Sequence, residues 1–83
     1  MKYWTQYVHK ISPSDKDLGP NVSLSDASLR DSKTLAAALR KAKVLGSGAR
    51  VQSFRVEKSG NVVVFPTMPG MTTYWHAVVL HPL

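Results

Sequence analysis

The chain has 83 residues, 43% of them hydrophobic and 19% charged, and its 11 Lys and Arg against 5 Asp and Glu leave a formal net charge of +6. A chain of this length forms one domain that buries only about 60% of the surface its unfolded form exposes, and its composition is that of a globular domain rather than a disordered tail. With no cysteine, disulfides, thiolate metal sites and cysteine nucleophiles are excluded.

The first ten residues contain no apolar core and no small-residue cleavage site of the kind a signal peptide needs. No window approaches the roughly 20 consecutive apolar residues of a spanning helix. The expectation is a cytoplasmic protein with no membrane partner.

Residues 2–11 alternate, with Tyr3, Thr5, Tyr7, His9 and Ile11 on one side and Lys2, Trp4, Gln6, Val8 and Lys10 on the other. Aromatic and β-branched content at period two predicts a strand, and lysines at both ends suit a sheet edge. Residues 12–31 read as a long connection, because Ser12-Pro13-Ser14-Asp15 and Leu18-Gly19-Pro20-Asn21 are turn signals, with Val22-Ser23-Leu24 as a brief strand at most.

Residues 33–45 predict a helix. At 100° per residue Leu35, Ala38, Leu39, Ala42 and Leu45 form one apolar stripe, with Lys33 and Arg40 opposite it. Asp31 or Ser32 can cap the first turn, and Gly46-Ser47-Gly48 reads as a left-handed stop.

Residues 49–58 predict a strand with Phe54 and Val56 toward one side and Arg55 and Glu57 toward the other. Ser59-Gly60 is a hairpin turn. The final stretch, from Gly60 to Leu83, contains no Asp, Glu, Lys or Arg. It splits into an apolar strand from Asn61 to Phe65, ended by Pro66, a Met68-Pro69-Gly70 turn, and a last strand from Thr72 to Leu80. Together these elements predict an α+β fold. It is a small two-layer domain spanning residues 1–83, ordered β-(long loop)-α-β-β-β, with one helix packed on an antiparallel sheet.

Charge is the feature that points to function. Residues 1–32 balance four cations against four aspartates, and residues 59–83 carry none. The whole excess therefore sits in residues 33–58, where Lys33, Arg40, Lys41, Lys43, Arg50, Arg55 and Lys58 face Glu57 alone. A concentrated positive field attracts polyanions or acidic protein faces. The plainer account is a solvated surface that keeps a small domain soluble.

The dipeptide Tyr-Trp occurs at Tyr3-Trp4 and again at Tyr74-Trp75. Rings exposed on a sheet stack bases or anchor a protein interface, whereas buried ones fill the core. Because one helix covers one sheet face, apolar surface on the other is left for a partner, a second copy included. The three histidines, His9, His76 and His81, lack ligand spacing and read as ordinary strand residues. No nucleophile motif, paired carboxylates or Gly-rich phosphate loop is present, so neither catalysis nor a cofactor is expected.

The layout of strand, loop, helix and meander with a basic surface is similar to that of small phage-encoded inhibitors, including some anti-CRISPR proteins. The likeness is one of layout, carried by no motif, and it implies action by binding and blocking. The leading expectation is a non-enzymatic binding module whose seven cations, with Trp4 and Trp75, meet nucleic acid or an acidic, nucleic-acid-handling partner. The alternative is a protein-interaction module, inhibitor or homodimer, that uses the uncharged aromatic sheet face.

Overall fold

The structure, a computed structural model, describes residues 1–9, 16–67 and 75–83, with the side chains of His9, Lys16, Trp75 and His76 outside that description. Five strands form one antiparallel sheet: β1 (Lys2–His9), β2 (Lys16–Ser23), β3 (Arg50–Val56), β4 (Val62–Thr67) and β5 (Trp75–Pro82). Their spatial order is β2-β1-β5-β4-β3. A 3-10 turn, Asp26–Leu29, and the helix α1, Ser32–Lys41, connect β2 to β3 and cover one face. This is the expected α+β arrangement of one helix layer on an antiparallel sheet. Among the described residues no helix is long and apolar enough to cross a membrane.

Period-two patterning sorts the sheet as expected. Tyr3 and Thr5 of β1 are buried toward the helix, and Tyr7 packs against the same cluster. Val62 and Val64 of β4, Val78 and Leu80 of β5, and Leu35 and Leu39 of α1 are fully buried and form its centre.

The long connection is where the structure departs from expectation. It contains β2, a full strand that pairs with β1 from Lys2↔Ser23 to Val8↔Lys16. The residues that signal a turn, Gly19-Pro20-Asn21, form a bulge instead: Pro20 and Asn21 stand against Trp4 alone, between the pairs Thr5↔Gly19 and Tyr3↔Val22. Proline is tolerated there because an edge strand at a bulge does not need every N–H in a ladder. The buried Thr5 hydroxyl completes the bulge by donating to the Pro20 carbonyl at 2.8 Å. With β2 outside it, β1 is an interior strand and not the edge that its lysines suggested; Lys2 lies at its exposed end.

The helix also ends earlier than its apolar pattern. Lys43 adopts φ 67°, its N–H returns to the Arg40 carbonyl at 3.1 Å, and the Val44 N–H returns to the Leu39 carbonyl at 2.9 Å. This is a Schellman ending with Lys43 in its left-handed position; Gly48 is also left-handed, at φ 86°, but lies beyond the helix end in the lead-in to β3. The ending at Lys43 turns Val44 and Leu45 into the core.

At the other end Asp31 is the cap. Its carboxylate accepts from the Thr34 hydroxyl at 2.7 Å and the Lys33 N–H at 3.0 Å. Those two hydrogen bonds hold its pKa below the ordinary value.

Two further expectations shift. The Glu57–Asn61 segment closes a three-residue hairpin loop in which the Gly60 N–H meets the Glu57 carbonyl at 2.9 Å and Gly60 takes φ 91°, the arrangement of a type I turn with a left-handed third residue. Pro66 does not end β4, which continues to Thr67 opposite Arg50 on the β3 side. The last strand runs on to Pro82. The turns expected at 12–15 and 68–70 and the predicted start of the last strand at Thr72 lie outside the described residues.

Candidate functional site

Three geometric facts decide where the seven cations go. First, Lys33 and Arg40 are seven residues apart, two helical turns, so they lie in one line about 10 Å apart along α1. Second, Ala36 is buried together with Leu35 and Leu39, which turns this line from directly outward to the flank facing β3. Third, β3 is the sheet's outer strand, so nothing else in the sheet lies beyond it.

The result is a cleft of about 520 Å3 between helix and edge strand, lined by Ser32, Lys33, Ala36, Arg40, Arg50 and Val51. A second cleft, of about 470 Å3, continues from it around the end of the helix. Arg40 belongs to both, and Lys41, Lys43 and the 45–48 loop complete the second.

Arg40 is the hinge of the pair. Its guanidinium donates to the Ala49 carbonyl at 2.7 Å, which ties the helix to the lead-in of β3 and holds the charge in place. Because a guanidinium carries five N–H donors, the remainder stay available to an acceptor in either cleft. Lys33, Lys41, Lys43 and Arg50 are exposed, and among the described residues none of them forms an ion pair. Asp31, at the helix start, is close enough to Lys33 for their charges to interact.

The other predicted residues fall elsewhere. Arg55 alternates with the inward-packed Phe54, so it projects from the opposite sheet face. There it sits 5.8 Å from the centroid of the Phe65 ring and 3.7 Å from the Glu57 carboxylate. That pair is well exposed and is worth roughly 0–1 kcal/mol. Lys58 is at the tip of the β3–β4 hairpin. Trp4 is also on the open face, stacked on His81 at 4.0 Å with 12° between the rings. The side chain of Trp75 lies outside the described residues.

The open face carries a row that sequence reading missed: Leu18, Gln6, Val79, Val63 and Arg55 stand in register across all five strands. The His81 ring and the Gln6 amide lie 2.7 Å apart beside it. Leu18 was hidden because the Gly19-Pro20 signal after it reads as a turn. Tyr3, by contrast, is a core residue at 2% exposure. Among the described residues no three His, Asp or Glu come together to hold a metal ion.

Comparison of the chain with protein-family models, with curated protein sequences and with solved structures found no match in any of the three.

Proposed function

We propose that the protein is a non-enzymatic binding module, acting in the cytoplasm, whose two joined basic clefts hold the phosphate backbone of a nucleic acid. The observation that carries this reading is the convergence of Lys33, Arg40, Lys41, Lys43 and Arg50 from three segments onto one continuous surface. Charges placed only for solubility are dispersed with both signs mixed. Here five cations line concave surface, and the one tethered among them, Arg40, sits where the clefts meet.

Such a surface binds polyanions by releasing condensed counterions. If four or five of these cations reach phosphates, affinity falls about a hundredfold between roughly 50 and 200 mM salt. The test is fluorescence anisotropy of labelled nucleic acid over that salt range, with the double variant Lys33→Glu/Lys41→Glu beside the parent protein. Both lysines are exposed, so the variant keeps its fold, as circular dichroism will report. Arg40 is left intact because it also ties the helix to β3. Unchanged binding by the folded variant overturns the reading.

A second reading rests on the open sheet face, where Leu18 is 76% exposed and Trp4 lies beside it in a shallow groove. This face would dock another protein, as an inhibitor of the phage-encoded type does, or a second copy. It ranks second because Val63 (7%) and Ala77 (5%) on the same face are already out of water, which leaves less apolar area for a partner to bury.

A further inference from the structure

We infer that the preferred ligand is double-stranded nucleic acid, gripped by its backbone without regard to sequence; this rests on the basic-cleft reading and narrows it. The argument turns on where the aromatic residues are relative to the charge. Proteins that hold single strands pair a basic groove with rings on which successive bases stack. Among the described residues, those lining the two basic clefts include no aromatic side chain.

The described rings are committed elsewhere. Tyr3 is buried under the helix. Tyr7 spans the core, and its hydroxyl donates to the Val44 carbonyl at 2.6 Å. Trp4 and Phe65 are on the far face of the sheet, where Trp4 is stacked on His81 and Phe65 lies under Arg55. A strand lying in the basic clefts therefore has the sheet between its bases and those two rings. What the described residues of the clefts offer is charge without a stacking ring, and charge favours the ligand with the higher charge density. Duplex DNA carries one negative charge per about 1.7 Å of axis, twice that of either strand taken singly.

The spacing agrees. Lys33 and Arg40 stand about 10 Å apart along the helix, far enough to reach different phosphates of one backbone. Lys41, about 100° round the helix from Arg40, and Lys43 add cations at the helix end, and Arg50 adds one from the neighbouring strand. The molecule is 30 Å in its longest dimension, so its footprint is at most about nine base pairs at 3.4 Å each. Among the described residues the clefts hold no Asn, Gln, Asp or Glu, the side chains that read adenine and cytosine edges; their arginines and lysines are able to read guanine, so the two sequences of the experiment differ in guanine content.

The experiment is an anisotropy titration of one labelled 20-mer as a single strand and as a duplex, in two unrelated sequences, at low salt and across a salt series. The expected result is duplex binding about tenfold tighter than the single strand, a difference of less than about twofold between sequences, and a log–log salt slope near −0.9 per phosphate contacted. Trp4→Ala leaves duplex affinity unchanged, whereas Lys41→Glu/Arg50→Glu weakens it more than tenfold. Equal or tighter binding of the single strand overturns the duplex inference while leaving the basic clefts as the binding surface. So does a loss of duplex affinity in Trp4→Ala with the fold intact. Binding of neither form at 50 mM salt overturns the cleft reading itself, and the duplex inference with it.

Discussion

Gly19 matters for the space it leaves. A Cβ there would lie 2.8 Å from the Tyr7 hydroxyl and 2.9 Å from its Cζ, closer than such atoms approach. The Tyr7 ring crosses the strand over this glycine to bring its hydroxyl within 2.6 Å of the Val44 carbonyl. Gly19→Ala must push that ring aside and stretch the hydrogen bond, at a cost of roughly 1–3 kcal/mol. Denaturant unfolding will read the loss. In a Tyr7→Ala background the same substitution costs much less, because the obstacle is gone.

Asp31 supplies a second residue-scale test. Its pKa is depressed in the folded state by the hydrogen bonds from Thr34 and Lys33. The cap therefore contributes stability above the unfolded pKa, and that contribution is lost as pH falls through the folded pKa, in the window below about pH 4. Asp31→Ala lowers the unfolding midpoint at neutral pH and flattens this acid dependence. Thermal melts of both proteins between neutral pH and pH 3 will show whether the two curves converge. Tyr7 titrates in the opposite sense. Burial raises its pKa, so its hydrogen bond is complete below the unfolded value near 10 and is lost as pH rises through the folded one.

At the scale of the element, α1 stops where Lys43 takes a left-handed conformation. A residue with a Cβ in that region costs roughly 1–2 kcal/mol relative to the right-handed one, and glycine escapes most of this. Lys43→Gly is expected to stabilise the domain by about 1 kcal/mol, a rise of about 4–8 °C in melting midpoint for a chain of this size. Since Lys43 also lines the second basic cleft, the same variant loses one cation and, under the proposed function, is expected to bind nucleic acid more weakly with a shallower salt slope. Stability and binding moving in opposite directions would mark this position as one kept for its charge. An unchanged melting midpoint would count against the Schellman ending as the cause of the stop.

For the whole molecule, the two layers divide the surface into a basic side and one of mixed character, where Arg55 pairs with Glu57. The helix and the edge strand β3 form the first; the open face of the sheet, with Trp4, His81 and Leu18, forms the second. If the open face joins copies of the chain, sedimentation equilibrium finds a dimer, and Leu18→Lys/Val79→Lys returns it to a monomer without touching nucleic-acid affinity. A monomer at all concentrations, with no protein partner retained, removes that reading and leaves the basic clefts as the one proposed surface.

Some of this was legible in the sequence. The start and apolar stripe of α1, the alternation that puts Tyr3 and Trp4 on opposite faces, and the confinement of net charge to residues 33–58 all follow from local rules. Cap chemistry, side-chain period and charge count operate within a few residues and need no knowledge of what lies across the fold. What only the tertiary structure decided was every feature that depends on a distant partner. The turn residues Gly19-Pro20 became an edge-strand bulge because β1 supplied pairing and Tyr7 needed the space. The helix yielded its last apolar residues to the core because burying Val44 and Leu45 outweighs the cost of a left-handed lysine. The seven cations, one run in sequence, were sorted into two clefts, a hairpin tip and the far side of a sheet. That sorting follows from consecutive strand residues facing opposite ways and from the rotation of the helix about its axis, which shows in the burial of Ala36 beside Leu35 and Leu39.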